Sequence, residues 1–282
     1  MTRQPQTSAG FSWPQTFGLK ENPFRDSLDP NLFFRTRQHE EALLKIRIGI
    51  DDGHALILLS GASGTGKSMV SQVALRDIGH GHETALVFVY PGMGKGQLLD
   101  AILSEMGEKE TGRFTQQRLD LLQQKSVALY REGKRLVVMI DEAHFLKADA
   151  LHLLRTLANL ETARRKLITV LLIAEPGLRK RLATPGYAAL RGRITFMVDL
   201  HPLTQEETEQ YIKYRLLKCG GYGDLLPPAV YVAAHELSHG IPREINRLLY
   251  NSMIEALTSD HFGVTPQILQ TVADRQEGRW AR

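Results

Sequence analysis

The chain has 282 residues, of which 43% are hydrophobic and 23% charged, and this composition is typical of a globular protein with room for two domains. A formal net charge of +4 and an isoelectric point near 9.1 are compatible with a nucleic acid or an acidic membrane face and require neither. The single cysteine, Cys219, excludes an internal disulfide and a cysteine-based zinc cluster. No apolar run reaches the roughly 18–20 residues that span a bilayer, and no signal peptide is apparent, so we expect a cytoplasmic protein without an integral membrane segment.

Residues 1–16, rich in Thr, Gln, Ser and Pro, are expected to form a flexible leader, and Arg37 to Asp51 has the spacing of an amphipathic helix. Short apolar runs then alternate with helical stretches, which predicts right-handed crossovers and a parallel sheet buried on both faces. The predicted strands are 55–60, 84–90, 135–140, 167–173 and 194–199, and the predicted helices between and around them are 68–78, 96–106, 114–132, 147–163 and 176–184.

After Leu200 the strand pattern stops, and only helical patterns follow. These lie at about 205–218, 227–238, 242–258 and 265–275. We place a boundary near Leu200–Pro202, with an α/β domain over 17–200 and a small α-helical domain over 201–282.

The segment behind the first predicted strand matches the phosphate-binding pattern G-x-x-x-x-G-K-[ST], known as Walker A. Its residues are Gly61, Ala62, Ser63, Gly64, Thr65, Gly66, Lys67 and Ser68, and Met69 continues into the next helix. The glycines allow several backbone N–H groups to converge on phosphates, Lys67 can reach the β- and γ-phosphates, and the Ser68 hydroxyl can bind Mg²⁺. The alternative is a glycine-rich turn that matches by chance. The strand before and the helix after favour a nucleoside triphosphate site.

Asp141 and Glu142 directly follow the third predicted strand. A buried strand that delivers a carboxylate beside a phosphate loop is what Mg²⁺ coordination requires, so Asp141 is predicted to bind the metal with Ser68. Glu142 is predicted to polarise the water that attacks the γ-phosphate. The alternative is two surface acids at a helix N-terminus. Asp141 to His144 also spells a helicase tetrapeptide, but the rest of the chain lacks the strand–helix alternation of a second helicase domain.

Further charged residues follow the fourth predicted strand. Glu175 is expected between the two strand ends already named, where a polar group can sense the γ-phosphate; the alternative is a helix-capping acid before Pro176. Arg191 or Arg193 could reach the phosphates of a neighbouring subunit as an arginine finger, or be a solvated cation. Arg243 opens a helix of the second domain and could reach over the phosphates, which would couple lid closure to the nucleotide.

Other patterns are less specific. The basic groups Arg164-Arg165-Lys166 and Arg179-Lys180-Arg181 could contact nucleic acid, although such groups are more often solvated faces or subunit contacts. His235 to His239 match the zinc protease pattern H-E-x-x-H. Gly240 and Pro242 break that helix at once, so we expect these histidines to lie on a lid helix and not at a zinc ion.

Together the motifs resemble an AAA+ ATPase of the ExeA (general secretion pathway protein A) group, over about residues 15–275. The resemblance rests on Phe17-Gly18-Leu19, Pro23-Phe24, His39-Glu40-Glu41-Ala42-Leu43, the phosphate loop, Ile140-Asp141-Glu142-Ala143, Leu157-Ala158-Asn159-Leu160-Glu161, Glu175-Pro176-Gly177-Leu178, Leu190-Arg191-Gly192-Arg193-Ile194 and Gly240-Ile241-Pro242-Arg243. It implies a five-stranded sheet, an α-helical lid and ATP-dependent rings or filaments. It also implies that Glu175 is the first sensor, that Arg193 or Arg191 is the finger, that Arg243 is the second sensor, and that Phe17–Phe24 helps to enclose the adenine.

The chain departs from this group in two ways. The group usually has glutamine where Glu175 stands, and a carboxylate facing a γ-phosphate is unfavourable unless a cation offsets it. The full-length secretion protein continues through a membrane helix into a peptidoglycan-binding region, and these 282 residues contain neither, which weakens the expectation of a secretin-assembly role.

The resemblance favours a Mg²⁺-dependent ATPase that assembles with itself, as a ring or helical filament, and assembles or remodels a partner complex of a type II secretion or type IV pilus system. The alternative is a DNA-binding regulator, similar to TnsC-like and MuB-like proteins, that forms ATP-dependent filaments on double-stranded DNA and recruits a transposase. A non-catalytic scaffold is disfavoured by Glu142.

Overall fold

In the computed structural model, which describes residues 12–163, 165–222, 224–259 and 263–280, five strands form one parallel sheet. The strands are β1 Leu56–Gly61, β2 His82–Phe88, β3 Arg135–Asp141, β4 Ile168–Ala174 and β5 Ile194–Leu200. Their order across the sheet is β2-β3-β4-β1-β5, and every neighbouring pair is parallel. The predicted α/β fold class, with its five-stranded parallel sheet followed by a helical region, is confirmed.

The helices surround this sheet and make up the C-terminal region. They are α1 Trp13–Thr16, α2 Arg37–Asp51, α3 Lys67–Asp77, α4 Lys95–Glu105, α5 Thr115–Arg131, α6 Ala148–Leu157, α7 Pro176–Leu182, α8 Ala188–Arg191, α9 Gln205–Lys218, α10 Pro228–Ser238, α11 Pro242–Thr258 and α12 Pro266–Trp280. The single-turn helices α1 and α8 were not among the predicted elements.

Both faces of the sheet are buried, as the first strand shows. Leu56 and Leu58 of β1 pack into a hydrophobic cluster with α4, α5, α6 and α7, whereas Ile57 and Leu59 pack into a second cluster with α2 and α3. Because successive side chains of a strand point to opposite faces, a strand covered on both sides must be apolar throughout. This burial explains why the strands could be recognised as continuous apolar runs.

The sheet order brings three strand ends together. β4 lies between β1 and β3, so the residues that follow β1, β4 and β3 meet at one edge. In open parallel sheets, ligands bind at this carboxyl edge, and preferentially where the strand order reverses.

The helix predicted over 147–163 is shorter than expected, because α6 ends at Leu157. Beyond it the chain turns back on itself: the N–H of Leu167 donates to the carbonyl of Leu160 at 2.9 Å, and Glu161 forms an antiparallel bridge with Lys166. This pairing removes residues 158–163 from the helix although their apolar spacing is compatible with one.

The chain divides into two compact units. The first spans Leu28–His201. The second combines the described residues before Leu28 with the described residues from Pro202 onwards, and α9 to α12 form most of it. The division before Pro202 lies beside the predicted boundary at Leu200–Pro202, and residues 17–27 group with the helical unit. The domain bounds of 17–200 and 201–282 stay a prediction.

Hydrogen bonds to backbone carbonyls account for the grouping of this segment with the helical unit. The buried guanidinium of Arg215 on α9 donates to the carbonyls of Pro23 and Arg25, and the N–H of Lys20 donates to the carbonyl of Cys219 at 2.8 Å. These bonds hold the segment before Leu28 on the helical unit.

Residues 1–11 of the predicted leader lie outside the described residues. Its last part is helical: Trp13–Thr16 form α1, and the Trp13 ring packs edge-on against the Tyr250 ring at a centroid distance of 5.7 Å. None of the helices formed by the described residues combines the length and apolarity needed to cross a membrane.

Candidate functional site

The loop between β1 and α3 depends on its glycines. Gly64 and Gly66 have φ angles of 80° and 99°, in the left-handed region that side chains disfavour. Gly61 is required for a different reason, because a Cβ added there would lie 2.8 Å from the carbonyl oxygen of Leu200 and 2.7 Å from Thr65 Oγ1. The loop therefore lies tightly against the end of β5 and leads directly into α3, whose first N–H groups favour an anion.

Lys67 is buried in this loop, with 7% of its surface exposed. Its Nζ donates to the carbonyls of Gly61 at 2.9 Å and Ala62 at 3.0 Å, so the ammonium group folds back onto the loop. A buried cation is costly unless acceptors or an anion compensate it. Two carbonyls already accept from Lys67, and a phosphate group bound by the loop would add an anion to them, so the residues present fit a phosphate.

The hydroxyl of Ser68 donates to Asp141 Oδ2 at 3.2 Å, across the end of β4. Asp141 is 5% exposed, and its second oxygen accepts the N–H of Glu142 at 2.8 Å. A hydroxyl and a carboxylate are oxygen ligands of the kind that Mg²⁺ prefers. The two residues predicted to bind the metal are thus adjacent, and they fit a Mg²⁺ ion held between the loop and β3.

Glu142 follows Asp141 in an unusual backbone conformation, with φ 56° and ψ 34°. Its carboxylate is 45% exposed and lies 3.4 Å from His144 Nδ1. Non-glycine residues in this region of φ/ψ space are strained, and such strain is concentrated at functional sites. Glu142 thus carries a partly exposed side chain directly after the predicted metal ligand Asp141.

Glu175 follows β4, which lies between β1 and β3 in the sheet. Its backbone N–H donates to His144 Nδ1 at 3.4 Å. Glu175 also occupies the N-cap position of α7, but within the described part of the chain its carboxylate accepts no capping hydrogen bond. The helix-capping alternative thus lacks its hydrogen bond, and the sensing role stays a prediction.

Comparison with known proteins agrees with this geometry. Residues 50–182, which extend from the end of α2 to the end of α7, match the family model described as an AAA domain. The chain is also 34% identical over 276 residues to General secretion pathway protein A of Aeromonas hydrophila. This chain is an AAA+ protein. The resemblance to the ExeA group is confirmed; the match covers 95% of this chain and 50% of the relative, so the chain spans half of the relative's length.

Solved AAA+ structures share the fold at low sequence identity. The ORC2 protein of Aeropyrum pernix, solved with ADPNP and ADP, matches with a TM-score of 0.67 at 17% identity and covers 90% of this chain and 71% of its own. The Drosophila ORC bound to DNA matches with a TM-score of 0.68 at 17% identity, over 96% of this chain and 68% of its own. At this identity the likeness establishes the AAA+ fold alone.

The two candidate finger residues of this AAA+ chain both have contacts within it. Arg191 Nη1 donates to the carbonyl of Leu182 at 3.0 Å and to that of Ala183 at 2.9 Å, at the end of α7. Arg193 donates from Nε to Asn159 Oδ1 at 3.0 Å. Either guanidinium would have to exchange these bonds for a phosphate contact, so the finger role stays a prediction for both.

Arg243 is the second residue of α11, in the helical unit. It lines a cavity of 400 Å³ together with Phe24 and Tyr250 of the same unit. Its reach towards phosphates and the enclosure of adenine by Phe17–Phe24 stay predictions.

The basic groups are partly used within the fold. Arg164 lies outside the described residues. Lys166 and Arg179 form ion pairs within the chain, and Arg181 donates to the carbonyl of Leu146 at 2.6 Å. At least three of these six cations are therefore not simply solvated, which reduces the charge that they offer to a nucleic acid.

The two histidines of the H-E-x-x-H motif do not lie on one helical face. The His235 ring lies on α10 with Nδ1 3.0 Å from Thr208 Oγ1, whereas His239 ends the helix with φ 51°. This arrangement agrees with our interpretation of the segment as part of a lid helix.

Two histidines at the site were assigned no role from the sequence. His39 is buried and its Nδ1 bonds to the N–H and hydroxyl of Thr36, while its Nε2 lies 3.6 Å from the place where a Cβ on Gly66 would be. The Thr-x-x-His spacing, which is that of a capping box at the start of α2, could have indicated the contact between His39 and Thr36. His144 was considered only as part of the helicase tetrapeptide, and no local sequence pattern predicts its contact with Glu175.

Proposed function

We propose that this chain binds ATP with Mg²⁺ and hydrolyses it. The main support is the pairing of Ser68 with Asp141 at 3.2 Å beside the buried Lys67, because it places the two proposed metal ligands next to the phosphate loop.

Each residue has a distinct role in this proposal. The loop from Gly61 to Ser68 and the Lys67 ammonium bind the phosphates, and Ser68 and Asp141 hold Mg²⁺, which would neutralise charge on the phosphates. Glu142 accepts a hydrogen bond from the attacking water and takes its proton. Its exposure is needed for that role, since the water must reach the carboxylate.

We propose further that nucleotide-dependent self-association, as a ring or a filament, drives assembly or remodelling of a partner complex. Arg191 or Arg193 of one copy would complete the site of the next, and Arg243 would respond to the bound nucleotide. The 34% identity to General secretion pathway protein A supports a partner in a secretion or pilus machine. The proposed cellular location is the cytoplasm.

Binding of double-stranded DNA, with recruitment of a transposase, is the second candidate. The net charge of +4 supports it. The internal contacts of Lys166, Arg179 and Arg181 count against it, since these cations lie in the groups first considered for DNA.

Nucleotide titrations and turnover assays test the first proposal. Lys67→Ala should abolish ATP binding, whereas the matched control Lys95→Ala, an exposed lysine of α4, should bind as the wild type does. Glu142→Gln should bind ATP without turning it over. Normal turnover by Glu142→Gln would show that another group is the base, and normal binding by Lys67→Ala would refute the site itself.

Assembly and DNA binding are separated in one experiment. Electron micrographs and duplex retention are recorded with ATP or a non-hydrolysable analogue, each with and without DNA, at several salt concentrations. ATP-dependent assemblies that form without duplex support the secretion-type proposal. Retention of duplex that requires nucleotide and falls steeply with salt would favour the DNA-binding regulator.

A further inference from the structure

The His144 ring is enclosed by its neighbours and lies next to Glu142. Its side chain is 15% exposed, and the ring packs against Phe145 at a centroid distance of 4.1 Å. The segment that carries it is also held at its far end, where Arg181 donates to the carbonyl of Leu146. The side chain of Glu142 is 45% exposed, so the ring is the more enclosed member of this pair.

One atom of this ring faces two partners. Nδ1 lies 3.4 Å from Glu142 Oε2 and 3.4 Å from the backbone nitrogen of Glu175. The partners require opposite chemistry, because the carboxylate needs a donor and the N–H group needs an acceptor. An imidazole nitrogen either carries a proton or offers a lone pair, so Nδ1 can serve only one partner at a time.

We infer that His144 is a positioning residue that holds the Glu142 carboxylate and couples its orientation to the end of β4. With a proton on Nδ1 the ring donates to Glu142. When that proton is absent, Nδ1 accepts the N–H of Glu175 and releases the carboxylate. A shift of the ring's proton from Nδ1 to Nε2 is sufficient for this change, and the net charge of the ring stays the same.

The consequence concerns communication within the site. Glu175 follows β4, between the strand end that carries Glu142 and the phosphate loop. Any displacement of its backbone N–H on nucleotide binding alters the competition for Nδ1. The inference rests on the proposed role of Glu142 in hydrolysis, and it adds a residue that is not among those proposed to bind the nucleotide or the metal.

Kinetic variants test the positioning role. In His144→Ala, kcat for ATP hydrolysis should fall about tenfold, because a displaced catalytic group loses its orientation, while KM and the affinity for nucleotide stay unchanged. His144→Asn places an amide near the position of Nδ1 and should restore most of kcat. The matched control is His152→Ala, which removes an exposed histidine of α6 that stacks on Tyr187.

A spectroscopic measurement tests the contact without turnover. In nucleotide-free protein labelled with ¹⁵N-histidine, Glu142→Ala should move the Nδ1 resonance of His144 towards the unprotonated range and leave the resonances of His152 in place. Unchanged His144 resonances would overturn the inference.

The outcomes separate this inference from the proposed function. Normal kcat in His144→Ala, with Glu142→Gln inactive, would overturn the role of His144 and leave Glu142 as the base. A fall in nucleotide affinity equal to the fall in kcat/KM would also overturn it, because His144 would then support binding. Absence of hydrolysis by the wild type would refute the proposed function, and the positioning role with it.

Discussion

Replacing Arg215 by methionine tests how the segment before Leu28 is held on the helical unit. Arg215 is 3% exposed, and its guanidinium donates to the carbonyls of Pro23 at 2.5 Å and Arg25 at 3.0 Å. Methionine keeps an unbranched apolar stem and removes both donors. We expect the segment to detach at lower denaturant concentration, with the fold of the Leu28–His201 unit retained.

The expected magnitude follows from the two carbonyls. A buried acceptor left without a partner costs about 1–3 kcal/mol, so two of them cost about 2–6 kcal/mol. The variant also avoids the cost of burying a charge, and the bond to Arg25 is only partly buried, so water can replace it. We therefore expect a net loss of about 2–3 kcal/mol in the free energy of unfolding.

The assay uses the tryptophans, of which the chain has two, Trp13 and Trp280. In a Trp280→Phe background the fluorescence of Trp13, which packs against Tyr250, reports on the N-terminal segment during a urea titration. Arg247→Met is the matched control, since that arginine is 47% exposed and its ion pair on α11 is worth at most about 0.5 kcal/mol. A shift in Arg215→Met no larger than in this control would refute the reasoning.

Three other predictions concern the Leu28–His201 unit. The alanine variant of the finger residue, Arg191 or Arg193, should hydrolyse ATP at least about 100-fold more slowly in assemblies. Its nucleotide affinity in dilute protein should equal that of the wild type. Unchanged turnover in both variants would remove the finger proposal. Gly61→Ala should lower thermal stability and nucleotide affinity because its Cβ would meet a backbone carbonyl at 2.8 Å, whereas Gly79→Ala, with open space around its Cβ, should change neither. The pKa of His82 is lowered from 6.5, mainly by burial of the ring and secondly by the charge of Arg135. The unfolded chain therefore binds the proton more readily, and the stability of the fold decreases as the pH falls through 6.5. His82→Gln should therefore lose less stability than the wild type between about pH 7 and about pH 5, and equal losses in urea titrations would contradict this.

Much of the α/β unit could be predicted because its information is local. β3 was predicted over 135–140 and observed over Arg135–Asp141, since a strand buried on both faces is a continuous apolar run. The phosphate loop follows β1 and Asp141 ends β3, and parallel strands bring these carboxyl ends to one edge of the sheet.

The features that sequence reasoning missed depend on residues distant along the chain. The early end of α6 results from the pairing of Leu160 with Leu167, which a helical pattern does not encode. The position of the N-terminal segment depends on Arg215, 192 residues after Pro23. The double contact of His144 likewise needs the end of β4, 31 residues later.

The attachment of the N-terminal segment has a consequence for synthesis on the ribosome. Pro23 leaves the ribosome long before its partner Arg215, which is 192 residues later. At about 5–20 residues per second this interval is roughly 10–40 s. During that time the Leu28–His201 unit can be translated in full, while Leu19 and Phe24, which are buried in the finished protein, have no helical unit to pack against. Leu19 and Phe24 thus reach their final place only after the helical unit has been synthesised, and a nascent chain stalled before Pro202 would present them to chaperones.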